Sequence, residues 1–234
     1  MKYEGWELHN FDSANLYRAY QFSLIRRQIK GNILEVGPGN CIYANKYMKV
    51  SNSITFIETT DKYFQLLKKK FKKNKKVTIK KNFKNLKKNS FDTIIYLDVL
   101  EHIKYDKEEI NKAYKLLKKS GTIIICVPAF QFLYSIYDKK IGHYRRYSKN
   151  NFIQLLKKCR IENYQIRYFD FVGFFLILIS KLFNRESLDN FSLKIRLWNF
   201  LIPISICLDA LLMKYFFGKS LLIKIKKKNY ERKV

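Results

Sequence analysis

Four carboxylates, two histidines and a pair of glycines stand at spacings that chemistry can use. Glu35, Gly37 and Gly39 alternate in Leu34-Glu35-Val36-Gly37-Pro38-Gly39-Asn40-Cys41. Glycines one residue apart let the chain turn sharply and let a ligand lie against bare backbone. An acid just before the turn sets a negative field where a cationic group would sit, acting directly or through water. Glu58 lies 19 residues after Gly39. That is close to the ~20-residue spacing at which an acidic residue meets ribose hydroxyls, and a carboxylate can accept from both. Asp98-Val99-Leu100-Glu101-His102 puts two acids and a histidine into one short segment. The run Gly142-His143-Tyr144-Arg145-Arg146-Tyr147-Ser148 adds a second histidine. An imidazole titrates near neutrality, so His102 and His143 are the candidate general bases for a hydroxyl. Arg145 and Arg146, with Tyr147 beside them, are the candidate acceptor contacts, because a guanidinium clamps carboxylate or phosphate bidentately. The alternative for this run is a salt-bridged loop that holds the edge of the fold.

Alternating strands and helices position these groups. Apolar Ile33–Val36 precedes the glycine turn, and a helical segment, 43–50, follows it. The expected strands continue with 53–58, 76–80, 91–97 and 122–127, separated by helices over 62–73 and 108–118. The run 91–97 is nearly continuous in apolar residues, as a parallel strand buried on both faces requires. Strands alternating with helices predict a doubly wound parallel sheet, whose ligands gather at the carboxyl ends of the strands. Asp12-Ser13 is expected to cap a helix over 14–29 whose Tyr17 and Tyr20 share a face, either packed on the domain or closed over a ligand. Ser148 is expected to cap a helix over 150–158.

The ordered series Leu34-Glu35-Val36-Gly37-Pro38-Gly39, Glu58, Phe91–Ile95, Asp98–His102 and Leu117-Lys118-Lys119-Ser120-Gly121 resembles the class I S-adenosylmethionine-dependent methyltransferases of the type 11 and ubiquinone-biosynthesis-like groups, over about residues 30–130. Cys41 stands where that family's first motif has a third glycine. The resemblance implies an α/β, Rossmann-like, doubly wound and mostly parallel sheet, with an N-terminal helix and a C-terminal helical appendage. Residues 1–29 are then a helical lead-in, 30–168 the cofactor domain, and 169–234 an apolar and basic appendage. It implies S-adenosylmethionine as cofactor, held by Glu35, Gly37, Pro38, Gly39, Glu58 and Thr59. Asn82 and Phe83 would meet the adenine, and Asp98 and Val99 would face the methionine part. Transfer is expected to the oxygen of a small-molecule, glycan or lipid-linked acceptor. Ubiquinone-type relatives suggest a divalent metal near Glu101-His102, but two residues do not establish a site, and no metal is expected.

Composition adds a partner question. The chain has 234 residues and a formal net charge of +28. Only 10 of the 47 basic residues are arginine, and Lys, Asn, Ile, Phe and Tyr are all abundant. That pattern fits a compositional bias better than a nucleic-acid surface, and no Asn-Pro-Pro-Tyr segment points to exocyclic amine methylation. A nucleic-acid-binding protein or RNA methyltransferase is therefore the weaker alternative, and a non-catalytic membrane-associated scaffold is another. Cys41, Cys126, Cys159 and Cys207 lack metal or redox spacing, so buried reduced thiols are expected. The first six residues lack the apolar core of a signal peptide. The expected location is cytoplasmic, with the inner face of a membrane as the variant. In the tail, 171–180 and 197–208 are apolar on all sides, shorter than a span of ~18 residues, and flanked by Lys181, Arg185, Lys194, Arg196, Lys224 and Lys226–Lys228. They would lie on an anionic leaflet, or else bury themselves in a helical subdomain or dimer interface.

Overall fold

The computed structural model describes residues 13–183, 191–211 and 213–228. Seven strands form one sheet in the order β3-β2-β1-β4-β5-β7-β6. They are β1 (Gly31–Val36), β2 (Ser51–Ile57), β3 (Val77–Lys80), β4 (Phe91–Leu97), β5 (Leu117–Pro128), β6 (Tyr164–Phe169) and β7 (Ser220–Lys226). The first five pair in parallel; β7 runs antiparallel to both β5 and β6. The strand order reverses between β1 and β4, and a ligand crevice belongs at that switch point.

Period-two alternation assigns the core to two faces. Ile123, Ile125 and Val127 of β5 join one apolar cluster, with residues of α4 (Asp106–Leu116) and α6 (Lys149–Lys158). Ile124 and Cys126 join the other, with α1 (Asn15–Ile25), α2 (Ala44–Met48) and α3 (Asp61–Lys70). Ser148 caps α6, its Oγ accepting from Asn151 N at 3.1 Å. Asp12, one of the two residues expected to cap the first helix, lies outside the described residues, as does Arg185; Ser13 does not cap it, because that helix begins at Asn15 with Ala14 at its N-cap and no side-chain cap. A five-residue helix, α5 (Ile136–Lys140), sits in the loop after β5.

The chain leaves β6 into α7 (Phe171–Leu182), α8 (Phe191–Phe200) and α9 (Ile202–Ala210). The break between α8 and α9 falls just before Pro203, which takes a first-turn position where its missing N–H costs nothing. A buried polar hub fastens these helices to the sheet. Asp170, fully buried and at φ +65°, accepts from Gly173 N (3.0 Å), Trp198 Nε1 (2.8 Å) and Ser205 Oγ (2.8 Å). Asp209 accepts from Tyr20 Oη (2.6 Å) and Asp170 N (2.6 Å). Lys219 Nζ lies 3.8 Å from Asp170 Oδ2 and 3.5 Å from the centroid of the Trp198 ring.

Two expectations for the tail need correction. The segment beyond 169 is helical over its first part only, because Ser220–Lys226 is an interior strand of the sheet. Its basic residues serve the fold: Lys224 Nζ donates to Leu24 O (2.9 Å) and Gln28 Oε1 (3.0 Å), and Lys227 Nζ donates to Tyr114 O and Leu117 O. They do not flank a helix. Of the four cysteines, all free, Cys41 and Cys126 are buried, Cys159 is half-buried, and Cys207 is exposed on α9.

Candidate active site

The sequence-predicted groups collect at the carboxyl ends of β1, β2, β4 and β5. Gly37 and Gly39 turn the chain out of β1 at φ +66° and +54°. A Cβ on Gly37 would stand 2.7 Å from Val99 Cγ2, so glycine is required there for space as well as for φ. Pro38 is half-buried between them. Glu58, just past β2, is buried with both oxygens held by backbone: Gly39 N donates to Oε2 (3.1 Å) and Thr60 N to Oε1 (2.8 Å). A carboxylate oxygen has a second lone pair, so each can still accept from a diol. Thr59 beside it is exposed.

Glu35 is the most perturbed of these acids that carries a defined value. It is buried on β1, and Tyr47 Oη donates to its Oε1 at 3.1 Å. Its Oε2 is buried with no hydrogen-bond partner. Burial pushes its pKa up to about 8; the Tyr47 hydrogen bond opposes the rise and the nearby Glu58 adds to it.

Asp98 ends β4 in the left-handed region (φ +55°), its amide bonded to Cys126 O at 2.9 Å. Its side chain is exposed to solvent. The surrounding protein raises its pKa, against the pull of Lys219. Gln21 Nε2 donates to Asp98 Oδ2 (3.2 Å), and Tyr43 Oη donates to Gln21 Oε1 (2.8 Å). Tyr17 and Tyr20 thus pack on the domain, while Gln21 on the same helix reaches Asp98. Asn82 is exposed, and its Oδ1 accepts from Lys84 N at 2.9 Å in a local turn. Phe83 is half-buried against the core.

The second group of residues forms a compact polar cluster. Tyr144 N donates to Glu101 O (2.8 Å), tying the loop after β5 to the segment after β4. Asp138 is buried and accepts from Ser135 N (2.9 Å), His143 Nδ1 (2.7 Å) and Arg146 Nε (2.8 Å). Burial alone would raise its pKa, but these bonds and the Arg146 charge hold it well below the usual carboxylate range. Asp138 is therefore an acceptor only, which makes His143 Nδ1 the donor and leaves Nε2 as the basic nitrogen. Nε2 lies 3.6 Å from Glu101 Oε1. Glu101 is fully buried, and burial raises its pKa well above the ordinary value. The His102 ring stands edge-on to that of His143 at 4.6 Å. Burial, and then His143, lowers the His102 pKa to about 3, so it stays neutral and is a poor proton acceptor.

Arg145, Arg146 and Tyr147 each have internal partners. Arg145 is bound to Asp106 Oδ2 (2.6 Å) and Lys104 O (2.9 Å), buried Arg146 to Asp138 and Ala129 O, and Tyr147 Oη to Asp106 Oδ2 (2.9 Å). These ion pairs and hydrogen bonds brace the loop that carries His143. Asp138 and Gln21 belong to no catalytic motif. Their signals were slight: Ser135-x-x-Asp138 has capping-box spacing, and Gln21 is a polar residue on a buried aromatic stripe. Glu101, His102 and His143 offer ligand atoms all within 4.8 Å of one another, a set that could hold a divalent ion. Two surface clefts, of about 300 and 380 Å³, lie elsewhere, around Arg167 and Lys224.

A family model described as a methyltransferase domain matches residues 34–125. Over those residues the chain is similar to a methyltransferase domain. The curated ubiquinone biosynthesis O-methyltransferase of Pelagibacter ubique is 27% identical over 131 residues, 50% of this chain and 54% of that protein. The chain thus spans about half the length of that curated relative. A crystal structure of a SAM-dependent methyltransferase from Archaeoglobus fulgidus is 16% identical with a TM-score of 0.61, covering 96% of this chain and 100% of that one. Haemonchus contortus phosphoethanolamine N-methyltransferase 2, solved with S-adenosyl-L-methionine, is 15% identical with a TM-score of 0.62, covering 90% of this chain and 53% of that one. At these identities the two structures establish the fold. The chain's own residues fit S-adenosylmethionine: a glycine turn too tight for a Cβ, a carboxylate able to accept from a diol, an exposed Asp98, and a buried Glu35 oxygen without a hydrogen-bond partner.

Proposed function

We propose that this methyltransferase methylates a hydroxyl oxygen of a small-molecule, glycan or lipid-linked acceptor, with His143 as the general base. The observation that carries the choice of oxygen is the 2.7 Å bond between His143 Nδ1 and ionised Asp138. It fixes the ring and its tautomer and leaves Nε2 to take a proton, which a hydroxyl must lose and a neutral amine need not. S-adenosylmethionine, when bound, supplies a methyl group already activated on a sulfonium. Gly37, Gly39, Glu58 and Asp98 hold and orient it, with Glu35 behind the glycine turn; Asn82 and Phe83 are the proposed adenine contacts. The protein's remaining task is alignment and one proton transfer. The Pelagibacter relative's name specifies an O-methyltransferase and the Haemonchus structure's an N-methyltransferase, so the choice rests on the dyad.

The test is methyl transfer from labelled cofactor to a panel of phenolic, glycan and lipid-linked hydroxyl acceptors. His143→Ala is expected to lose about 10²–10⁴-fold in turnover, with S-adenosylhomocysteine affinity unchanged. Full turnover in that variant removes His143 from the chemistry. A second reading, a divalent ion on Glu101, His102 and His143, is favoured by the two Glu101 oxygens, buried without hydrogen bonds. Such an ion would supply a Lewis acid there. Activity lost to a chelator and restored by a divalent metal would select it.

A further inference from the structure

We infer that α7, α8 and α9 form a docking face for an anionic phospholipid leaflet, on which the domain rests without spanning it. The helices are built inside out. Their polar groups point inward, onto the hub of Asp170, Trp198 Nε1, Ser205 and Asp209. Their apolar side chains point outward: Phe175, Ile179 and Leu182 on α7, and Leu193, Leu197 and Phe200 on α8, with Leu182 and Phe200 70% and 73% exposed. Isolated exposed apolar residues are ordinary, but a patch shared by packed neighbouring helices marks an interaction surface.

Charge identifies the occupant. Between 171 and 219 the described residues include one acid, Asp209, and it is buried. The same stretch carries Lys181, Lys194, Arg196 and Lys214 besides the hub's Lys219, and Lys194 and Arg196 are exposed on α8 among the apolar side chains. A second copy would bring another +28 against the first. An anionic leaflet satisfies both features, taking the apolar side chains into its interfacial zone and the lysine and arginine heads against its phosphates.

The depth is limited by the fold. No single described helix is long and apolar enough to cross a membrane, and the bent pair α8–α9 turns by 46° at its break. Ile195, Trp198, Ile202, Ser205 and Asp209 form a stripe buried against the domain. Pulling α8 and α9 into a bilayer would expose Asp209 and strip Tyr20 of its acceptor, so the helices lie flat. The face also adjoins the loop bearing His143: Phe174 contacts Phe130, Phe191 stacks on Tyr137, and Lys181 Nζ donates to Tyr134 O at 2.8 Å. If the methyl-transfer reading holds, a lipid-borne acceptor would meet the site from this side; the docking face itself stands without that reading.

The experiment is flotation of the full chain with vesicles of phosphatidylcholine alone and with 30 mol% phosphatidylglycerol. Binding is expected to the anionic vesicles and to weaken with salt. Lys194→Glu with Arg196→Glu should weaken it by at least about fivefold per charge. Leu197→Ser with Phe200→Ser, at exposed positions, should abolish it while the thermal midpoint and S-adenosylhomocysteine binding persist. No binding to either vesicle, equal binding to both, or binding untouched by the serine pair overturns the proposal. So does a dimer in light scattering that the serine pair converts to monomer, which would assign the face to a second copy.

Discussion

Glu35 offers the sharpest test, because its burial and its expected partner oppose each other. In the free protein its pKa sits at about 8, so at neutral pH the side chain is mostly protonated. A cationic sulfonium nucleoside beside it favours the ionised form. If bound cofactor returns the group to an ordinary carboxylate pKa, each pH unit below 8 weakens binding about tenfold, or ~1.4 kcal/mol. Between pH 8 and pH 6 the S-adenosylmethionine affinity should fall about 50-fold, since half the sites are already ionised at the upper limit. Glu35→Gln should flatten this dependence, and its profile subtracts the ligand's own titration. Stability must run the other way. A carboxyl raised from 4.5 to about 8 on folding contributes stability below 4.5 that is lost as pH rises through 8, at about 1.4 kcal/mol per unit. The ligand-free wild type should therefore lose stability to the Gln variant over that window. Calorimetric titrations and urea melts of both proteins at four pH values give the two curves. Parallel binding profiles for wild type and Gln variant would refute the placement of Glu35 beside the cationic end.

Other outcomes follow from single contacts. Glu58→Ala should cost S-adenosylhomocysteine binding about 2–3 kcal/mol by calorimetry, as expected for losing a carboxyl acceptor of two hydroxyls; unchanged binding would remove the ribose assignment. Gly37→Ala must adopt φ +66° against Val99, so a loss of about 1–3 kcal/mol in urea stability and weaker cofactor binding are expected. Asp138→Asn frees the His143 tautomer; turnover should fall by at least tenfold with cofactor affinity unaltered, and a shifted pH–rate profile would separate positioning from a folding defect. Asp170→Ala leaves Trp198 Nε1, Ser205 Oγ and Gly173 N without their acceptor and should cost at least about 3 kcal/mol, read from a chemical melt.

The parallel half of the sheet was legible because local pattern and tertiary role agree there. The run 91–97 matches β4, and the Glu58 spacing after Gly39 ends in a hydrogen bond between those two residues. The loop after β5 was legible in position but not in role. Arg145 and Arg146 are types that bind anions from any source, and only coordinates show that Asp106 and Asp138 already take them. Strand β7 was hidden because Leu221–Ile225 is too short to separate from a helical segment by periodicity, and lysines follow it. The reach of Gln21 to Asp98 spans 77 residues, a distance at which no spacing rule operates.

The position of β7 has a consequence for how the molecule is made. Cys126 pairs with Leu222 across nearly a hundred residues, so one side of β5 is covered only by a segment made long after it. Until then β5 has an open edge, and β6 has no neighbour to bond. Pairing of β5 with β7 is thus slow by loop-closure standards. A chain stopped before residue 220 would carry two raw strand edges and would be expected to aggregate rather than yield a smaller working domain.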